Sequence, residues 1–166
     1  EVRLLSEPGY ISVAGNEALG AAGLWYSNSA VTEDYLNNNR ETLLKVTAVY
    51  YRFIRYLFEK PEQTLGAMVS YLNKHAATSM TVDEAANLRD SFEDFASIEG
   101  SLSGVYDPDS PLYWKKAAEY LVQQNESLGK IPVGKVDPEE FIVQEDLFYE
   151  LLNNKELLAW IQSPID

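Results

Sequence analysis

The chain has 166 residues, 46% hydrophobic and 23% charged. That is ordinary globular composition, long enough for one domain with a real core, and it argues against disorder. Thirteen basic and 26 acidic residues leave a net charge of −13, which argues against nucleic acid and anionic membrane surfaces as partners, because both are bound through cations. The absence of Cys excludes disulfides, thiolate nucleophiles and zinc–thiolate sites.

Taken in chain order, Val2–Leu5 reads as a short strand, and Ser6–Ala22, with Pro8, Gly9, Gly15 and Gly20, as loop or extended chain. Gly23–Val31, aromatic and then alternating, reads as a strand. Thr32 is placed to cap a first turn through Asn38, with Glu33 and Asp34 favourable at its positive end. Leu43, Leu44, Thr47, Tyr50, Tyr51, Ile54, Leu57 and Phe58 recur at three- and four-residue steps and predict a helix over about Arg40–Lys60. Tyr50, Tyr51, Phe53, Tyr56 and Phe58 are expected in the core and in helix contacts.

Pro61 suits the first turn of the next helix, striped by Leu65, Met68, Val69 and Leu72. Thr81-Val82-Asp83-Glu84 is a capping box opening a helix to about Phe95. Gly100–Asp109 reads as irregular. Ser110-Pro111 reads as a cap and first-turn proline for a helix that ends at Gly129. Val136–Ile142 predicts a cap and a single turn, followed by helices over about Gln144–Asn153 and Lys155–Gln162. One or two strands before six or seven helices cannot make a useful sheet alone, so the strands are expected to join a sheet built by sequence upstream. Glu1 is not a start residue, and the piece is expected to begin inside a longer or processed protein.

No motif for covalent chemistry stands out. There is no G-x-S-x-G elbow, no G-x-G-x-x-G and no P-loop. His75, the single histidine, sits at a helix C-terminus, where a cation complements the dipole. Asp107-Pro108-Asp109-Ser110 and Asp137, Glu139 and Glu140 lack the glycine and distal glutamate of a calcium loop and read as turn and cap chemistry. Glu93 with Asp94, and Glu145 with Asp146, read as solvated helix faces.

Four phrases together resemble the C-terminal half of the solute-binding proteins of ABC importers for nitrate, sulfonates, taurine and pyrimidines, a family with thiamine-pyrimidine-synthase relatives. They are the strand Gly23–Val31 followed by Thr32–Asn39; the long helix ended by Lys60-Pro61-Glu62-Gln63; Leu112–Leu121; and Ile131-Pro132 with Val136–Ile142 and Asp146-Leu147. The resemblance implies an α/β, type II periplasmic-binding-protein fold. In it, residues 1–32 would be the hinge-crossing strand region and residues 33–166 helices packing on the first lobe. It implies a substrate-binding component that closes two lobes over a small organic or oxyanion solute and hands it to a membrane permease. It further implies a monomer outside the cytoplasm, in the periplasm or as a cell-surface lipoprotein, with no cofactor, no metal and no enzymatic activity. The enzyme relatives rely on a Cys-rich stretch that this chain lacks. Trp25, Tyr26, Asn28 and Tyr10 are the candidate ligand contacts, at most one of Trp25 and Tyr26 facing a ligand if they alternate. The alternatives are a ligand-sensing domain of a signalling protein, or a helical protein-interaction domain with no small ligand.

Overall fold

The computed structural model describes residues 29–76, 78–90, 97–142 and 144–164. Among them the elements are α1 (Glu33–Asn38), α2 (Arg40–Glu59), α3 (Pro61–His75), α4 (Val82–Asp90), a short turn α5 (Ile98–Gly100) running into a π-turn (Ser101–Val105), α6 (Trp114–Ser127), α7 (Pro138–Phe141), α8 (Gln144–Asn153) and α9 (Lys155–Gln162). No strand occurs among the described residues. This corrects the α/β, type II periplasmic-binding-protein expectation: the described chain is all-helical. Of the predicted strand, Gly23–Asn28 lie outside the described residues, as do Val2–Leu5. Ser29–Val31 carry no regular structure, and among the described residues no strand lies beside them to form a ladder.

Local chemistry sets most helix boundaries. The Thr32 hydroxyl accepts from the Tyr35 amide at 3.2 Å, and Pro61 occupies the first turn of α3. Thr81 and Glu84 close a reciprocal capping box, the Thr81 amide donating to Glu84 Oε2 at 2.7 Å and the Glu84 amide to Thr81 Oγ1 at 3.2 Å. The Asp137 carboxylate accepts from the Glu139 amide at 2.9 Å to start α7. Gly129, at φ +66°, stops α6, its amide reaching the Glu126 carbonyl while the Lys130 amide reaches that of Asn125. A β-carbon is disfavoured at that φ, so Gly is the residue for the position.

Two boundaries differ from expectation. The Ser110 hydroxyl accepts from the Leu112 amide at 3.0 Å, which closes a tight turn and delays the helix to Trp114. The stretch after Gly100 is ordered, not irregular: the Tyr106 amide bonds the Ser101 carbonyl five residues back at 2.9 Å, the π pattern that bulges a helix.

Helix α2 organises the molecule. Its inner side, Leu44, Ala48 and Tyr51, meets Val105, Tyr106, Trp114, Phe148, Leu151 and Ile161 in the main core. Near its far end Leu57 joins Leu65, Val69 and Ala85 in a second core shared with α3 and α4. α8 and α9 lie along α2 and form its main partners. Phe148 and Leu151 have no exposed surface. The aromatic cluster is corrected in part: Tyr51 is buried, whereas Tyr50 and Phe53 are exposed.

Candidate functional site

Three separated segments frame a half-open cleft of about 300 Å³. Helix α2 supplies Tyr51, Ile54, Arg55, Phe58 and Glu59; the turn into α5 supplies Ser97, Ile98 and Glu99; α9 supplies Ile161 and Gln162. The floor is apolar, through Ile54, Phe58, Ile98 and Ile161, and the rim is polar. Such a floor with a few fixed polar groups is the general make-up of small-molecule sites, and this volume lies at their lower end.

Each wall is held in place by its own bonds. The Ser97 hydroxyl caps the α5 turn by accepting from the Gly100 amide at 2.9 Å. Arg55 donates to both Glu59 oxygens, at 2.6 Å and 3.1 Å, and this pairing holds the Glu59 carboxyl below its ordinary range. Arg55 also donates to the carbonyls of Ile161 and Ser163. Its neighbour Arg52 donates to the Trp160 and Pro164 carbonyls and to the Ser163 hydroxyl, and stacks over the Trp160 ring at 4.7 Å. Carbonyls left open at the end of α9 are thereby satisfied by two guanidiniums.

Behind the cleft, the Tyr51 hydroxyl lies 3.0 Å from Ser101 Oγ at the start of the π-turn. Burial pushes the Tyr51 phenol up to about 12, the bond to Ser101 opposing it. Burial, reinforced by Tyr51, pushes Tyr106 further up. Both hydroxyls stay protonated at neutral pH and act as hydrogen-bonding groups, not as bases.

Tyr10, Trp25, Tyr26 and Asn28, the candidates from sequence, lie outside the described residues. The cleft residues escape a sequence reading because no local motif joins positions 51–59, 97–99 and 161–162. Its single local signal is Arg55 and Glu59, four apart on one helix. Among the described residues no group of His, Asp and Glu is placed to hold a metal, and no helix is long and apolar enough to cross a membrane. The acidic phrases do cap and turn work: Asp107 Oδ1 accepts from the Asp109 amide at 3.0 Å. Glu145, expected in solvent, accepts from the Trp114 indole N–H, and His75 closes α3 with its ring 4.6 Å from that of Tyr71. No protein-family model matches the chain, and no curated protein or solved structure matches it either.

Proposed function

We propose that this chain captures a small organic solute and serves as a substrate-binding component of an ABC-type importer, outside the cytoplasm and in contact with a membrane permease. The observation that carries solute capture is the cleft between α2, the Ser97–Glu99 turn and α9, with its apolar floor, polar rim and ligand-sized volume. The importer assignment is supported by the order of the family-like phrases, three of which fall at helix boundaries: Thr32, Lys60-Pro61 and Asp137-Pro138. Binding needs no covalent step, which suits a rim without an activated nucleophile.

The test is a melting-temperature screen of the protein against sulfonates, nitrate and pyrimidines. A ligand that binds only the native state raises the melting temperature, by several degrees at concentrations far above its Kd. One class should do so, and Gln162→Trp, which crowds the exposed rim of the cleft, should abolish the rise while leaving the unliganded melting temperature in place. A flat response to all three classes overturns the reading.

A second reading, a helical protein-interaction domain without small ligand, is favoured by one observation: Val46, Val49, Tyr50 and Phe53 are exposed on a single side of α2. That reading predicts a flat ligand screen together with a protein partner whose binding is lost in Val49→Glu.

A further inference from the structure

The cleft offers acceptors and keeps its donors engaged. Among the described residues that line it the one cation is Arg55, and that guanidinium is already committed. Of its N–H groups, those on Nε and Nη2 reach Glu59, and Nη1 reaches the carbonyls of Ile161 and Ser163. The acceptors are not used up. Each Glu59 oxygen takes a bond from Arg55 and keeps a further lone pair, on a side chain that is 47% exposed. The Glu99 carboxylate is exposed and has no bonding partner among the described residues.

Helix polarity acts in the same direction. Both α2 and α9 present their last two residues to the cleft, Phe58 with Glu59 and Ile161 with Gln162, so two negative helix ends lie at its edge. The cations native to this corner show what it accepts. Arg52 and Arg55 are held by carbonyls at the end of α9, and Arg89 lies over the ring of Phe58, 5.9 Å from its centroid. The net charge of −13 adds a field that draws cations in and holds anions off.

We propose that the solute taken by this cleft is a basic nitrogen compound: a small apolar or aromatic body carrying a protonated amine or amidine. The body rests on Ile54, Phe58 and Ile98, and its N–H groups donate to Glu99 and to the open lone pairs of Glu59. This inference rests on the solute-capture reading and narrows it. An anion would have to displace Glu59 from Arg55 to gain a guanidinium, and would then lie beside Glu99. Of the classes in the screen above, nitrate and sulfonate groups bring acceptors alone, whereas amino-substituted pyrimidines bring an N–H edge.

The test holds the ring constant and changes the charge. Benzamidine, benzamide and benzenesulfonate are titrated calorimetrically into the full chain. Benzamidine should bind about tenfold more tightly than either of the others, because a charged donor bonds a carboxylate more strongly than a neutral one does. In the melting screen 2-aminopyrimidine should outrank nitrate and every simple sulfonate. Glu99→Gln should weaken benzamidine by about tenfold. It should leave benzamide binding and the unliganded melting temperature in place, since the side chain is exposed. Glu59→Gln, a second variant, frees Arg55 and should raise the affinity for benzenesulfonate. Benzenesulfonate binding as tightly as benzamidine, or a benzamidine affinity that Glu99→Gln leaves unchanged, overturns the cation preference while solute capture stands. Silence from all three probes and from the whole melting screen overturns solute capture itself, and the preference with it.

Discussion

At Tyr51 one phenol shows how burial becomes a pH dependence. Its ring packs on Phe148 with centroids 5.5 Å apart, and its hydroxyl is bonded to Ser101. The unfolded chain ionises this group near its ordinary value of 10.0, whereas the folded chain holds it to about 12. The folded-state pKa is the higher one, so the contribution to stability is complete below pH 10 and is lost as pH rises from 10 to about 12. Two pH units of protection correspond to about 3 kcal/mol. Urea midpoints measured from pH 8 to 12 should fall across that window, and less steeply in Tyr51→Phe. At pH 8 the same substitution should cost about 1 kcal/mol through the lost bond to Ser101. The sequence places Tyr51 on an apolar stripe but also places Tyr50 there. The two are separated by packing that residues 50 and 51 do not encode, since the groups that bury Tyr51 stand at positions 101–106 and 148.

Helix ends were the most legible part of the sequence, because a cap is a bond between residues two or three apart. Thr32, Pro61, the Thr81–Glu84 box and Asp137 all do in the structure what their residue types suggest. Replacing Thr81 by Ala removes the acceptor for the Glu84 amide and should cost about 1 kcal/mol in a chemical denaturation curve. Ser110-Pro111 misleads because its hydroxyl finds an amide two residues on and closes a turn before a helix can begin. The π-turn at Ser101–Val105 is illegible for another reason. Its extra residue in the turn accompanies the burial of Ser101, Gly104 and Val105 against distant elements, and composition alone reads that stretch as loop.

Across the whole molecule α2 joins two cores, so damage to either should be felt by both. Phe148 has no exposed surface, and Phe148→Ala should cost about 4 kcal/mol. Far-UV circular dichroism and tryptophan fluorescence should shift together in one transition if the cores are coupled; separate midpoints would show two independent units. A helical array was legible here from periodicity, but its class was not. The strand reading rested on Gly23–Val31, and the part of it that is described has no ladder partner. The cleft was equally hidden, since it exists only after residues a hundred positions apart meet. That separation governs how the chain folds. Most helical neighbours here are adjacent in sequence and can pair early, but Arg52 reaches the Trp160 carbonyl across 108 residues. Closing a loop of that length costs about 4 kcal/mol of chain entropy before any contact returns it. Docking of the last helix is therefore a late event in assembly, slower than the local pairing of α3 with α4. A nascent chain would expose the inner face of α2 until α8 and α9 arrive.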